Sequence, residues 1–213
     1  MLGADTSTIT VLGIETSCDE TGIALFQGKR SELSQGTLLA ERVHSQTDTH
    51  QAYGGVVPEL AAREHTKSLP VLTDLVLREA GINLSDIDLI GVTTGPGLKG
   101  CLLTGILFAQ GLALRHEIPL GAVNHLEGHI LSVILDNPEI HFPFISLIVS
   151  GGHTELHYVS QVGDYALIAR TSDDAAGEAF DKSANLLGIP YPGGAALAEL
   201  ADSFHGESRF TLP

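Results

Sequence analysis

The chain has 213 residues, with 11 Lys and Arg against 26 Asp and Glu, so its formal net charge is −15. This length suffices for one large domain or two small ones with a sizeable core. The acidic balance excludes a generally basic protein that coats nucleic acid, so contacts with nucleic acid must be local or come from a partner. Cys18 and Cys101 are predicted to be buried free thiols. Because no signal-peptide pattern and no apolar run of about 20 residues occurs, we expect a cytoplasmic protein that does not enter a membrane.

Predicted strands and helices alternate through the first part of the chain. After a flexible extension (1–9), two strands flank the turn TSCDET (16–21), and a third strand covers 37–43. A helix is predicted over 56–81, because Pro58 suits a helix start and Gly81 a helix end, and Pro70 is expected to kink or divide it. The remaining elements are a strand (88–93), the loop TGPGLKG (94–100), an apolar helix (101–114), a strand (119–123) and a helix in NHLEGHILSVIL that Asn137 and Pro138 end.

The pattern restarts at Phe142 and indicates a duplicated lobe. A strand, the turn SGGHT (150–154) and a second strand repeat the opening hairpin, and residues 165–170 match the third strand. The segments DDAAGEAFDKSANLLG and AALAELADSF are predicted helices joined by the loop IPYPGG. We therefore predict an α/β fold with a first lobe at 10–138 and a second, incomplete lobe at 139–213.

The pentad HLEGH (125–129) is the strongest signal for a metal site. Histidines at positions i and i+4 share a helix face, so His125 and His129 can direct ring nitrogens at one ion. Two ligands are too few for a stable site, and two surface histidines can show the same spacing. Glu127 lies about 200° around the helix from each histidine and therefore faces away from the ion. This geometry argues against a zincin-type peptidase, whose glutamate is the general base beside the metal.

Three segments rich in small residues are candidates for contact with an anion. The turns at 16–21 and 150–154 hold residues that let backbone amides approach phosphate oxygens, although a tight hairpin explains each of them as well. The loop 94–100 opens a helix close to Lys99. It either holds an anion at the helix N-terminus or packs a sharp strand-to-helix turn.

Acidic residues follow the second turn. Asp174, Glu178 and Asp181 are spaced three to four residues apart, which predicts an acidic stripe on one helix face. The stripe is either a solvated surface or a source of one carboxylate for ribose hydroxyls. In the second case the flat base of a nucleotide would lie directly against the backbone at Gly193 and Gly194, which carry no side chains.

Seven segments, in this order, resemble the universal tRNA threonylcarbamoyladenosine transferase family, known as TsaD in bacteria and formerly as glycoprotease or O-sialoglycoprotein endopeptidase. They are VLGIETSCDETGIAL, YGGVVPELAAREH, GPGLKG, NHLEGHI, LIVSGGHTEL, DDAAGEAFDK and YPGG. The resemblance implies an actin-like ATPase fold (ASKHA, ribonuclease H-like) with the nucleotide between two lobes. It also implies an acyltransferase that moves a threonylcarbamoyl group from threonylcarbamoyl-adenylate to the N6 amine of the adenosine beside the anticodon, in tRNAs that decode codons beginning with A.

The resemblance implies roles for individual residues. His125 and His129 would hold one divalent metal ion, iron in the first place and zinc as the alternative, which would act as a Lewis acid on the carbamoyl carbonyl. Asp181 would bind the ribose of the adenylate, and Gly194 would lie against its adenosine. The phosphate and carbamoyl part would be lined by Ile148, Val149, Ser150, Gly151 and Gly152. No catalytic protein nucleophile is implied.

The family's chain continues beyond the matched part, where it supplies an aspartate as third metal ligand and an asparagine at the nucleotide. We therefore expect a truncated second lobe and no activity of this chain alone. The implied partners are tRNA, threonylcarbamoyl-adenylate, a smaller paralogous subunit and an ATPase subunit. The alternatives are a noncatalytic scaffold like that paralog, which lacks the HxxxH, SGGHT and DDAAGEAFDK segments in this form, and the older metallopeptidase function.

Overall fold

A five-stranded sheet forms the body of the first lobe. The computed structural model describes residues 7–30, 32–137 and 139–206. The strands are β1 (Thr8–Glu15), β2 (Glu20–Lys29), β3 (Glu32–Ser45), β4 (Leu89–Gly95) and β5 (Leu120–Asn124). Their order is β3-β2-β1-β4-β5, in which β1 to β3 are antiparallel neighbours and β4 and β5 run parallel to β1. This is the strand order of a ribonuclease H-like sheet, and the α/β class expected from the sequence is confirmed.

Two long helices pack on this sheet. They are α2 (Pro58–Ala80) and α3 (Lys99–His116), while the short α1 (Thr47–Gln51) and a 3₁₀ helix (Leu84–Asp86) were not predicted. Helix α2 starts at Pro58 and ends at Gly81 in the left-handed conformation (φ 66°), as predicted. Pro70 was predicted to kink or divide this helix; the division is wrong, because α2 is continuous, and the kink stays a prediction. Proline removes one backbone hydrogen bond there, while the buried face of the helix continues on both sides of it.

The core of the first lobe lies between the sheet and the two long helices. Alternate strand residues point inward, as expected for a strand with one buried face. Each fully buried aliphatic side chain contributes about 1.5 to 3 kcal/mol, so this core fixes the ends of the central strands firmly. Its members include Leu12, Ile14, Ile23, Leu25, Leu69, Val76, Ile90, Val92 and Ala109.

A smaller antiparallel sheet forms the second lobe. Its strands are β6 (Phe144–Val149), β7 (Thr154–Gln161) and β8 (Asp164–Arg170), in that order, followed by α5 (Ala176–Leu186) and α6 (Gly194–Asp202). Helix α4 (His125–Asp136) connects the lobes, and its Ile130 is buried with Ile148 and Val159 of the second sheet. The helix that follows the last strand of the first lobe therefore packs into the core of the second.

The predicted strands and long helices are present, and each lobe opens with the predicted hairpin. The lobe boundaries stay a prediction, and residues 1–6, Ser31, Pro138 and 207–213 lie outside the described residues. Both cysteines are free, but only Cys101 is buried. The predicted burial of Cys18 is wrong, because this residue lies in the turn between β1 and β2 and lines an open cavity. Among the described helices, none is both long and apolar enough to cross a membrane.

Candidate functional site

A cavity of about 880 Å³ lies between the two lobes. Its walls come from the β1–β2 turn, the loop before α3, the first turns of α4, the β6–β7 turn, helix α5 and the loop after it. Segments that are far apart in the sequence, and that were singled out separately there, thus meet around one space. The lining residues include Ser17, Asp19, Gly97, His125, His129, Ser150, Gly151, Gly152 and Asp181.

His125 and His129 converge at the start of α4. Asn124 caps this helix, because its side-chain oxygen accepts hydrogen bonds from the backbone amides of Leu126 (2.9 Å) and Glu127 (3.3 Å). The Nε2 atoms of the two histidines are 3.2 Å apart. One turn of helix therefore directs both rings at a single point on the cavity wall.

Glu15, the last residue of β1, contacts Nδ1 of His125, the ring nitrogen that does not face His129. Its Oε2 lies 3.3 Å from His125 Nδ1 and accepts the Thr93 hydroxyl (2.5 Å), while its Oε1 accepts the Ser17 amide. Burial raises the pKa of this carboxyl, but hydrogen bonds from His125, Ser17 and Thr93 outweigh burial and lower the pKa to about 2. Because an ionised carboxylate can only accept, Nδ1 of His125 is the donor in this contact, and Nε2 faces His129 and the cavity.

This donor set fits a divalent cation. An imidazole held by a carboxylate through one nitrogen, with the other nitrogen free, is the usual state of a histidine that ligates a metal. Burial, and then the neighbouring His125 ring, lower the pKa of His129, which favours the neutral form that a ligand needs. Within the described residues no group of three or more His, Cys, Asp or Glu side chains is placed to hold an ion. The histidine pair thus offers two donors and leaves the other coordination positions open.

Glu127 points away from the histidine pair. Its Oε1 accepts a hydrogen bond of 2.6 Å from the hydroxyl of Tyr165 on β8. Burial, followed by the Glu127 carboxylate, raises the pKa of Tyr165 to about 12, so the hydroxyl keeps its proton and remains a donor. Glu127 joins α4 to the second sheet, and it does not occupy the position of a general base beside a metal.

The β1–β2 turn is tied to the loop before α3. The Leu98 amide donates to the Ser17 carbonyl (2.7 Å). Gly97 is needed for this approach, because a Cβ at its position would lie 2.5 Å from the Ser17 oxygen. The loop 94–100 therefore packs a sharp strand-to-helix turn, which was one of the two alternatives from the sequence. Lys99 is the first residue of α3 and is not among the residues that line the cavity.

The β6–β7 turn is closed by its own serine and by α5. Ser150 Oγ accepts hydrogen bonds from the amides of Gly152 (3.3 Å) and His153 (3.0 Å), and the Ser150 carbonyl accepts the amide of Gly177 (3.1 Å). A Cβ at Gly177 would lie 2.8 Å from the backbone nitrogen of Gly151. Glycine at this position lets the first turn of α5 rest directly on the turn and support its two glycines at the cavity wall.

The predicted segment 148–152 divides into two parts. The side chain of Ile148 is buried in the core of the second lobe, and Val149 is not among the residues that line the cavity. Ser150, Gly151 and Gly152 do line it. In the strand part of this segment, Ile148 therefore serves the fold and Val149 is exposed outside the cavity, whereas the turn faces the cavity.

The predicted acidic stripe does not form. Helix α5 begins at Ala176, so Asp174 precedes it. Lys182 pairs with Asp174 and with Glu178, at 2.9 Å each, and partly offsets their negative charge. The spacing suggested one face because the start of the helix could not be located from the sequence.

Asp181 has a different environment from the other two acids. Its Oδ1 accepts the backbone amides of Gly193 and Gly194, both at 2.9 Å. Asp181 lines the cavity, whereas Gly194 is the first residue of α6 and is not one of the lining residues. The carboxylate thus fixes the loop that precedes α6 and keeps its other oxygen for a further donor.

Sequence reasoning missed the roles of three residues beside the histidine pair. Glu15 and Ser17 contact His125, and Asn124 caps the helix that carries the histidine pair. A signal existed for Asn124, because asparagine directly before an apolar helical pattern is typical of an N-cap. Glu15 and Ser17 lie more than 100 residues from His125, and only the strand order brings them to it.

Solved structures that are similar to this chain include a protein from Pseudomonas aeruginosa described as similar to peptidase YEAZ. The TM-score is 0.49 at 21% identity, with 76% of this chain and 64% of that chain covered. A PPX-GPPA enzyme from Aquifex aeolicus is also similar, with a TM-score of 0.49 at 13% identity and coverage of 84% and 56%.

Sequence relatives are much more similar. A tRNA N6-adenosine threonylcarbamoyltransferase of Chromobacterium violaceum is 54% identical over 203 residues, and one of Francisella tularensis subsp. novicida is 50% identical over 204 residues. Each comparison covers 95% of this chain but only 58% and 59% of the relative, so the chain spans less than two thirds of these relatives. The family model described as TsaD, tRNA N6-adenosine threonylcarbamoyltransferase, matches residues 37–213. The chain therefore belongs to the tRNA N6-adenosine threonylcarbamoyltransferase family.

Proposed function

We propose that this chain carries the reaction cleft of an acyltransferase that modifies tRNA. The threonylcarbamoyl group of threonylcarbamoyl-adenylate would pass to the N6 amine of the adenosine beside the anticodon. The observation that carries this proposal is the single cavity lined by both the histidine pair of α4 and the glycines of the β6–β7 turn. The names of its relatives support the same reaction.

In this proposal His125 and His129 hold one divalent ion through their Nε2 atoms, iron in the first place and zinc as the alternative, since both accept histidine ligands. When bound, the ion supplies Lewis-acid chemistry at the carbamoyl carbonyl. Glu15 keeps the proton of His125 on Nδ1 and so presents Nε2 in the orientation that a ligand needs.

The adenylate would lie along the second lobe. Gly151 and Gly152 carry no side chains, so their backbone can approach phosphate oxygens closely. Asp181 would direct its second carboxylate oxygen at a ribose hydroxyl, since Oδ1 already accepts two loop amides. The same loop would bring Gly194 towards the adenosine.

The cavity wall contains one cysteine, and it is not suited to nucleophilic attack. The Cys18 residue is exposed as a whole, but the protein atoms around its thiol reduce solvation of the thiolate. This desolvation, and then the neighbouring Asp19, raise the pKa of Cys18 to about 12. At neutral pH the thiolate is therefore scarce, and the thiolate is the nucleophilic form. Direct attack by the tRNA amine on the carbamoyl carbonyl would break the bond to the phosphate, release AMP and lose one amine proton to water, and it needs no protein nucleophile.

The proposed partners follow from charge as well as from the family. A chain of net charge −15 repels the tRNA backbone, so tRNA would dock through local patches or through partner subunits. The smaller paralogous subunit and the ATPase subunit remain the proposed partners, and the cytoplasm the proposed compartment.

The metal part of the proposal is tested by His125→Ala and His129→Ala, with His116→Ala as matched control. His116 is an exposed histidine at the end of α3. After incubation with Fe²⁺ or Zn²⁺ under anaerobic conditions, elemental analysis should show that either of the first two changes sharply lowers the bound metal. The control should keep the metal content of the wild type. Equal metal content in all four proteins would exclude this site.

The reaction is tested by mixing the chain with threonylcarbamoyl-adenylate, unmodified tRNA and the two proposed partner subunits. Mass spectrometry of the digested tRNA measures the modified nucleoside. Product that depends on the chain and disappears with His125→Ala supports the transferase. Product formed equally with His125→Ala would favour the scaffold function, and cleavage of a peptide that stops on addition of a chelator would favour the peptidase.

A further inference from the structure

A buried polar cluster lies behind the β1–β2 turn. It consists of Thr21, Gln46, His50 and His65, each at most 1% exposed. Buried polar groups are unfavourable unless hydrogen bonds satisfy them. All four side chains are hydrogen-bonded, and the bonds form a chain that ends at the turn itself.

The partners determine which ring nitrogen carries the proton in both histidines. The Val57 amide donates to His50 Nδ1 (3.3 Å), so His50 donates from Nε2 to Gln46 Oε1 (3.2 Å). The amide nitrogen of Gln46 then faces His65 Nδ1 (3.4 Å), which also accepts the Thr21 hydroxyl (2.7 Å). His65 is therefore protonated on Nε2.

His65 Nε2 donates to the carbonyl of Cys18 (2.9 Å). The preceding carbonyl, of Ser17, accepts a hydrogen bond from the backbone N–H of Leu98 in the loop before α3. The following carbonyl, of Asp19, accepts one from the backbone N–H of Gln46 (3.0 Å). Three consecutive carbonyls of the turn are thus held by the body of the first lobe. In a trans peptide the N–H points opposite to the C=O, so the bond from His65 turns the Asp19 N–H away from the cluster.

We propose that His65 is a positioning residue of the cleft, which fixes the Cys18 carbonyl and, through the adjoining Ser17, the ring of His125. Ser17 Oγ lies 3.2 Å from His125 Nδ1, which connects the turn to the histidine pair. Burial lowers the pKa of His65, in agreement with a neutral ring that donates from one nitrogen and accepts at the other. The expected effect of His65 on nucleotide binding rests on the proposed function, whereas its expected effect on the position of the His125 ring does not.

The test uses the full chain labelled with ¹⁵N at histidine. In His65→Gln the side-chain NH₂ group can still donate to the Cys18 carbonyl. In His65→Asn the shorter side chain can place its oxygen near the Thr21 hydroxyl, but its NH₂ group does not reach the Cys18 carbonyl. Thr73→Val is the matched control, because it removes another buried group of α2 whose hydroxyl bonds to the Leu69 carbonyl (2.7 Å) within the same helix.

Two measurements are made on each protein: the Kd for AMP by calorimetry and the His125 Nδ1–H resonance by NMR. We expect His65→Asn to shift or broaden the His125 resonance. Because Asp19 lines the cavity and its N–H would no longer be held in a fixed direction, we also expect AMP binding to weaken about five- to tenfold, as for the loss of one hydrogen bond. His65→Gln should recover most of the affinity, and Thr73→Val should match the wild type in both measurements.

A folded His65→Asn protein with wild-type affinity and an unchanged His125 resonance would overturn the proposal. If the wild type itself does not bind AMP, the proposed nucleotide function fails, and the His125 resonance alone decides the role of His65. The wild-type spectrum is an independent check that needs no variant to fold. A His65 ring protonated on Nδ1, or on both nitrogens at neutral pH, cannot make the described bonds and would also overturn it.

Discussion

Replacement of Glu15 by glutamine tests the electrostatics of the cleft. The Glu15 carboxylate accepts hydrogen bonds from Ser17, Thr93 and His125, which lower its pKa from the ordinary 4.5 to about 2. A shift of this size corresponds to about 3 kcal/mol of preference for the folded state. Because 36% of the side chain is exposed, solvent screening reduces the expected contribution to about 1.5 kcal/mol.

The pH dependence follows from the sign of the shift. A lowered carboxyl pKa stabilises the folded chain fully at pH values above 4.5, and this stabilisation is lost as the pH falls through about 2. The side-chain amide of the variant Glu15→Gln is never ionised. The variant should therefore have a free energy of unfolding about 1.5 kcal/mol lower than the wild type at neutral pH, and the difference should shrink towards zero in acid.

Urea unfolding followed by circular dichroism, from neutral pH down to about 2, measures this difference. Glu199→Gln is the matched control, because Glu199 is an exposed carboxylate on α6, far from the turn in the sequence. The control should differ little from the wild type at any pH. A difference between Glu15→Gln and the wild type that stays constant across the series would refute the electrostatic origin of the effect.

Three further predictions concern the second lobe. Asp181→Asn keeps an acceptor for the two loop amides, so it should preserve thermal stability, while the affinity for AMP in calorimetry falls about tenfold. Asp181→Ala loses that acceptor and should in addition lower the free energy of unfolding by about 1 to 3 kcal/mol. Gly177→Ala places a Cβ 2.9 Å from the Ser150 carbonyl, so urea unfolding should show a loss of about 1 to 3 kcal/mol, and wild-type stability would contradict the close packing. Tyr165→Phe removes the hydrogen bond to Glu127 and should lower the free energy of unfolding by about 1 kcal/mol, whereas an unchanged value would mean that water replaces the hydroxyl.

The sequence predicted the fold well where local patterns carry the information. Alternating apolar residues located the strands, and Pro58 and Gly81 bounded the long helix α2. The failures came from tertiary packing. Continuity at Pro70 depends on the buried face of α2, and the exposure of Cys18 depends on how the β1–β2 turn faces the cavity.

For the site, the i, i+4 spacing was enough to bring His125 and His129 to one face of α4, and the angular argument correctly turned Glu127 away from them. The contacts that hold the histidine pair in place were not predictable from the sequence. The contact between Glu15 and His125 joins residues 110 positions apart, and it requires the parallel placement of β4 beside β1 and of β5 beside β4. Residue spacing describes neighbours on one helix, but it carries no information about which strand ends will be adjacent.

Helix α4 is fastened on both sides within its first two turns. His125 is hydrogen-bonded to Glu15 of the first lobe, whereas Glu127 accepts the Tyr165 hydroxyl and Ile130 is buried in the second. Any hinge motion that opens or closes the cleft must therefore stretch one of these attachments or carry the helix along. The orientation of the His125 ring relative to His129 is thereby coupled to the angle between the lobes. A partner or ligand that changes the lobe angle would alter the strength of the proposed metal binding without touching either histidine.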